Sequence, residues 1–348
     1  MKYLQRKFLF NLILFVSLPI LLVGFVFFVF DPFLIFYKAE KLENIVSYYS
    51  GNCRVGTNRE HMSLITLKHQ LKNHNINSFI FGNSRASAYD PIFWEKNFLS
   101  PSDKAFLLNA SADSLEGMKR KIKYLDNLGV EIKNVIVTFD IDSLRKKEKD
   151  SFLLIDSPLV VSSTKRKLNF FYQHAKTMLN PKFLFPYALF KLTSGKLCNA
   201  GFNKFVLNSK EIDFHPATNK RLLYMIEKMI DEEPEKFYGQ SSLQNEFKDK
   251  TLVKYPSVLS KRQKGLIKEI LKIFRKHKTN YKVVIHPGWR EKYLATDDLS
   301  FIKKHFGEEK VFDLTVNPWS EKRENWYDET HPRPHVTKEL MSLLYKVD

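Results

Sequence analysis

The chain has 348 residues, 44% of them apolar and 27% charged, with 30 Phe and 15 Tyr. That composition excludes a disordered chain, because aromatic burial on this scale offsets the entropy lost on ordering, and 12 Gly with 14 Pro exclude a collagen-like or low-complexity one. A net charge of +18 implies attraction to something anionic: nucleic acid, lipid headgroups or an acidic polymer. No zinc-knuckle spacing, RNP-type aromatic pair or uniformly basic helix accompanies that charge, so nucleic acid is the disfavoured partner.

Residues 1–7 read as a short cytoplasmic tail and 8–30 as a membrane-spanning signal anchor. From Phe8 to Phe30 the only conspicuously polar side chains are Asn11 and Ser17, and at about 1.5 Å per residue the run crosses a hydrocarbon layer about 30 Å thick. Lys2, Arg6 and Lys7 precede it, with no acidic residue before Asp31, so the positive-inside rule puts the amino terminus in the cytoplasm and the rest outside the inner membrane. A cleaved signal peptide is the rival reading, but its apolar stretch is shorter and ends in small residues, whereas this one ends Phe-Val-Phe-Asp-Pro. Without the three basic residues of the tail the outer part still carries +15.

Residues 31–75 read as a stalk and helical lead-in, with helical spacing in Tyr37–Tyr49 and Leu64–Leu71 around a Ser50-Gly51-Asn52 turn. From 76 to 348 the pattern changes. Buried-strand runs are predicted at Ser78–Phe81, Val135–Phe139, Tyr281–Ile285 and Lys310–Leu314, and amphipathic helices at Lys119–Leu128, Ser260–His277, Leu299–Phe306 and Val336–Tyr345. Such alternation predicts an α/β domain whose parallel sheet is covered on both faces. It stops between about 145 and 255, which reads as a helical insertion. Within it, Lys165–Lys191 mixes basic and aromatic side chains, as a headgroup-contacting surface or a packed cap would. Cys53 and Cys198 are compatible with one long-range disulfide or with buried thiols. No Walker-type loop, HExxH or metal-ligand cluster stands out, and no cofactor is expected.

In open α/β sheets ligands bind beyond the carboxyl ends of the strands. After Phe81 comes Gly82-Asn83-Ser84-Arg85; after Phe139 come Asp140 and Asp142; after Ile285 come His286, Pro287 and Gly288. Beyond the last strand run lies Asp328-Glu-Thr-His331-Pro332. A Ser held above a strand end becomes a nucleophile only with a base; alternatively Ser84 caps the following helix. Asp328, three residues before His331, can return to the imidazole and fix its tautomer. The alternative is a surface Asp–His contact, and His335 is a rival base.

Together these blocks resemble the SGNH (GDSL-type) hydrolases. Gly82-Asn83-Ser84-Arg85 is similar to the block holding their nucleophile, and Asp328-Glu-Thr-His331 to the Asp-x-x-His block that supplies orienter and base. The resemblance implies an SGNH-like three-layer domain with Ser84, His331 and Asp328 as a triad. With the anchor, it also resembles the envelope branch active in polysaccharide O-acetylation and teichoic-acid D-alanylation. That branch implies an acyltransferase or esterase acting on an envelope glycan or anionic polymer, beside a polytopic membrane acyltransferase. The family's second-block Gly and third-block Asn, which stabilise the oxyanion, have no counterparts here. Ser111 is the nearest match in the second block and Asp140 stands in the third, leaving Asn83, Arg85 and Asn109 as substitute donors and His286 as a pocket residue. The same gaps support the alternative of a catalytically silent SGNH-like subunit that binds polymer or partners the acyltransferase.

Overall fold

The computed structural model describes residues 2–36, 54–145, 151–193, 206–207, 213–215, 217–247, 252–290 and 292–346. The predicted Tyr37–Tyr49 helix, the Ser50-Gly51-Asn52 turn, Cys53 and Cys198 lie outside them. Five strands form the main sheet: β1 Ile76–Phe81, β2 Lys104–Leu107, β3 Asn134–Phe139, β4 Asn280–Ile285 and β5 Val311–Asp313. The described helices of eight residues or more are α1 Lys2–Phe30, α2 Arg59–Asn73, α3 Pro91–Phe98, α4 Leu115–Asn127, α5 Thr164–Met178, α6 Pro181–Leu192, α7 Tyr224–Glu232, α8 Lys261–Lys276, α9 Thr296–Phe306 and α10 Pro334–Leu344.

All five strands run parallel in the order β2-β1-β3-β4-β5, so the winding reverses between β1 and β3. A crevice opens at the strand ends where such a reversal occurs. The alternation of side chains along each strand explains why the sheet is covered twice. Phe79, Phe81, Val135, Val137, Phe139, Val283 and Ile285 face one core, against α2, α4, α8 and α9. Ile80, Ile136 and Val284 face the other, against Trp94 of α3, Trp326 and the Val336, Leu340 and Met341 stripe of α10. The molecule is therefore α/β with helices on both faces. The bounds of the predicted strands and helices that fall on described residues move by about five residues at most, the Lys310–Leu314 run shortening to Val311–Asp313 and α4 closing at Gly129, whose φ of 70° lies in the left-handed region that glycine favours.

Strand β2 has no counterpart among the predicted runs. Its four residues follow the buried Asp103, whose carboxylate accepts from Asn77 (2.8 Å), Lys133 (2.8 Å) and Asn134 (3.1 Å) and so ties the starts of β1, β2 and β3 together. The lead-in also joins the domain, since Leu64 and Leu67 of α2 are fully buried in the first core.

The insertion does two jobs. A hairpin pairing Asp213–Phe214 with Arg221–Leu222 sends Asn219, held at φ 60°, to the edge of β2, where its amide donates to Leu107 O at 2.6 Å and to Ser63 Oγ at 3.0 Å. Helices α5 and α6 pack Phe170, Met178, Phe183 and Tyr187 around Phe27, Phe33 and Ile35, where α1 ends. Helix α1 itself is long and apolar enough to cross a membrane.

Three histidines are buried as neutral rings. His61 pairs with Ser157 Oγ and Ile35 O, and His174 Nδ1 with Phe170 O at 2.7 Å. Burial pushes both down to about 4, and burial together with the Arg85 charge does the same to His286. An unfolded chain titrates its histidines near 6.5. Between about 6.5 and 4 it therefore binds more protons than the folded one, and stability falls as the pH falls through that window. The unfolding midpoint in detergent is expected to drop steadily between those two values; a flat profile across them contradicts neutral burial.

Candidate active site

The Ser84 turn is built by close approach. A Cβ on Gly82 would lie 2.1 Å from Thr138 Oγ1 and 2.7 Å from Ala86 Cβ, so only glycine lets the exit of β1 lie this near β3. Gly82 is not among the positive-φ residues. Its service is thus room for close approach rather than backbone freedom. Asn83, not Ser84, caps the short 3-10 helix Ser84–Ala88: its side-chain oxygen accepts from Arg85 N at 3.0 Å. Its amide donates to Asp140 at 2.5 Å. The capping alternative for Ser84 therefore falls, and its hydroxyl is left for another partner.

That partner is His331. Ser84 Oγ lies 2.8 Å from His331 Nε2, although 247 residues separate them. His331 Nδ1 lies 2.7 Å and 2.9 Å from the two Asp328 oxygens. The Asp328 loop is closed locally: Oδ1 accepts the N–H of Thr330 (2.8 Å), the N–H of His331 (2.9 Å) and the Thr330 hydroxyl (2.8 Å). This Asx arrangement, with Tyr327 N donating to His331 O at 2.8 Å, is the turn chemistry expected just before Pro332. Burial alone would raise the Asp328 pKa. The hydrogen bond and charge of His331 and the Thr330 donors outweigh it and hold the carboxyl well below its usual range. Such a carboxylate keeps Nδ1 protonated and leaves the Nε2 lone pair facing Ser84. The rival base His335 instead pairs with Asn325 at 2.9 Å.

The loop is buttressed from the insertion. Arg333, buried beneath it, donates to Glu227 (2.9 Å) and Asp231 (2.7 Å) of α7 and to Glu324 O (2.9 Å), and the Tyr327 hydroxyl donates to Glu227.

The other predicted residues split between support and surroundings. Asp140 is a buried hub: Arg85 Nη1 lies 3.1 Å from it, Ser143 N donates at 2.7 Å, and Asn83 completes the set. Burial raises its pKa, but Arg85, the Ser143 N–H, Asn83 and His286 together leave it lowered. Arg85 also reaches Asp142 at 3.3 Å. Asn109 donates to Asn83 O (3.3 Å) and Ser87 Oγ (2.8 Å) from behind the turn. The amide donors of Asn83 and Asn109 and the Arg85 guanidinium are thus engaged in holding the Ser84 turn. Ser111 is half-buried and does not line the cleft beside Ser84. His286 donates from Nδ1 to Pro287 O at 2.9 Å, its Nε2 has no hydrogen-bond partner among the described residues, and it lines a separate recess with Asp140, Lys292 and Thr330 that meets the Ser84 cleft at Arg85.

The cleft itself is lined by Ser84, Ser87, Arg221, Leu223, Tyr327 and His331 among others. Arg221 was not singled out in the sequence, because it sits in the insertion and only the hairpin brings it here. It makes no hydrogen bond or ion pair, among the described residues, to neutralise it. Burial lowers its pKa, with Tyr327 and Asp328 pulling the other way. An unpaired guanidinium beside a Ser–His pair is equipped to meet negative charge.

No protein-family model and no curated protein matches the chain.

Proposed function

We propose that the protein is a membrane-anchored, SGNH-like serine acyltransferase or esterase working outside the cytoplasmic membrane on an envelope glycan or anionic polymer. The observation that carries this reading is the continuous chain Ser84 Oγ–His331 Nε2 (2.8 Å) and His331 Nδ1–Asp328 (2.7 Å) at the strand ends. Ser84 Oγ attacks the carbonyl carbon of an ester or thioester and passes its proton to Nε2. The carbonyl π bond opens to an oxyanion, which re-forms the carbonyl as the leaving group departs with the proton from Nε2. An acceptor hydroxyl, or water, then gives a proton to Nε2 and attacks the acyl-Ser84 carbon; the carbon–Oγ bond breaks, Nε2 returns the proton to Ser84 Oγ, and the acyl group leaves on the acceptor. Asp328 orients the ring and balances its transient charge.

The developing oxyanion is met by the Ser84 N–H, a first-turn donor with no helical acceptor, and by the Arg221 guanidinium. Arg221 thus takes the place of the donors that the resemblance implies and the chain lacks. Lys2, Arg6 and Lys7 at the amino end of α1 support the inside position of the amino terminus, and the +15 outside it suits an anionic substrate.

Hydrolysis of a neutral aryl acetate by the detergent-solubilised full chain tests the reading. A burst of about one equivalent of phenol per protein, followed by slower turnover, is expected for an acyl-enzyme; release at the buffer rate contradicts it. In the same assay Arg221→Gln is expected to lower kcat about 10²–10³-fold with KM little changed, as for loss of one oxyanion donor. An unchanged kcat removes Arg221 from the step.

The engagement of Asn83, Arg85 and Asn109 with the turn favours a second reading, a silent subunit docked on a polytopic acyltransferase. Co-purification of such a partner, with Ser84→Ala behaving as wild type in cells, would select it.

A further inference from the structure

Helices α5 and α6 each carry two faces. The inner faces, Phe170, His174 and Met178 on α5 and Phe183 and Tyr187 on α6, are buried against the end of α1 and its exit segment. The outer faces are apolar as well. Leu168, Tyr172 and Leu179 recur at helical spacing along α5 and just beyond it, and Phe185, Leu189 and Leu192 recur four and three residues apart on α6. Their exposure is large: 60% for Tyr172, 72% for Phe185 and 84% for Leu192. Elsewhere in the domain the exposed large apolar residues, such as Ile92, Leu128 and Val316, are scattered singly. An apolar patch gathered on adjoining helices is the kind that marks a contact surface.

Two observations say what covers it. The first is position. Val23, Val26 and Phe27 of α1 pack into the same cluster as the inner faces, and Lys191 Nζ lies 5.6 Å from the Phe30 ring centroid. Where α1 crosses a bilayer, α5 and α6 therefore flank its last turns, at the depth where hydrocarbon gives way to headgroups. The second is charge. Lys165, Arg166, Lys167, Lys176, Lys182 and Lys191 are exposed on the two helices, and neither helix carries an acidic residue. Aromatic and aliphatic stripes bordered by basic side chains fit the boundary of an anionic leaflet.

We propose that α5 and α6 lie in the interface of the same leaflet from which α1 emerges, with Phe185, Leu189, Leu192, Leu168 and Tyr172 immersed in it and the lysines among anionic headgroups. The arrangement fixes how the domain sits on the membrane. Helix α2 runs antiparallel to β1, so its amino end lies at the strand edge that carries Ser84. The same end bridges to the cluster on α1: Asn58 donates to Phe152 O and Ile155 O, at 2.9 and 2.7 Å. The Ser84 edge is thus held toward the bilayer, and the Leu128 edge points away from it.

The test uses the full chain in nanodiscs of mixed zwitterionic and anionic lipid, in a Cys53→Ser/Cys198→Ser background whose unfolding midpoint is first matched to wild type. Single cysteines at Phe185, Leu192 and Tyr172, and at Leu128 as the distant control, carry an environment-sensitive fluorophore. Lipids bearing a nitroxide high on the acyl chain are expected to quench the first three several-fold more than Leu128, with an immersion of about 5–10 Å. Water-like emission without quenching at Phe185 and Leu192 overturns the proposal. Blue-shifted emission without lipid quenching also overturns it, because protein rather than lipid then covers the face. None of these outcomes depends on Ser84 being reactive.

Discussion

In a His331→Ala variant, ester turnover is expected to fall by about 10⁴–10⁶-fold, to near the buffer rate, while the unfolding midpoint moves little. The Ser84 hydroxyl is a weak nucleophile, and the nearest proton acceptor to it is Nε2 at 2.8 Å. His335 cannot substitute, since it is tied to Asn325 on the far side of Pro332 and Pro334. The loss should also be non-additive. If Ser84 and His331 act as one unit, adding Ser84→Ala to His331→Ala costs nothing further. Single variants that each keep turnover well above the buffer rate, with losses that multiply in the double variant, contradict a shared step.

Asp328→Asn is expected to cost about 10⁴-fold in kcat. The substitution is close to isosteric, and an amide oxygen at the Oδ1 position still accepts from the Thr330 and His331 N–H groups that close the loop. What changes is the group facing Nδ1. An NH₂ there turns Nδ1 into an acceptor and moves the ring proton to Nε2, pointing it at Ser84, so the base arrives already protonated. The loop geometry survives, so the expected signature is a large fall in kcat with a small change in unfolding midpoint. Because Asp328 is held well below the usual carboxylate range by His331 and Thr330 against the pull of burial, it stays ionised down to acidic pH. Activity in wild type is therefore not lost through Asp328 between about pH 5 and 8. A midpoint that collapses in Asp328→Asn would assign the residue to the loop rather than to the ring.

Much of this site was legible because each piece is local in sequence. Ser84 stands three residues beyond Phe79-Ile80-Phe81, the buried apolar end of its strand, and parallel strands buried on both faces read as such runs. Asp328 and His331 sit in a loop that Pro332 and Pro334 keep from becoming helical. The pieces that escaped depend on distant partners. Strand β2 offers only Ala105, Phe106 and Leu107 as a buried run, too short to distinguish from a loop, and it is set by Asp103 gathering side chains from β1 and β3. Arg221 reaches the cleft only because Asn219 docks a hairpin onto the edge of β2, a contact across 112 residues with no periodic signature. Asn83 and Asn109, legible as polar neighbours of the nucleophile, have amide donors directed at Asp140, the Asn83 carbonyl and Ser87. Residue type alone does not separate a donor aimed at substrate from one that fastens a turn.

The central claim is that Ser84 Oγ is made nucleophilic by His331. It is tested most directly by treating the full chain with a fluorophosphonate and mapping the adduct by peptide mass spectrometry. A single adduct on Ser84 in the wild-type protein is expected, absent in Ser84→Ala and formed far more slowly in His331→Ala. An unmodified wild-type protein, or an adduct that persists in Ser84→Ala, would contradict it.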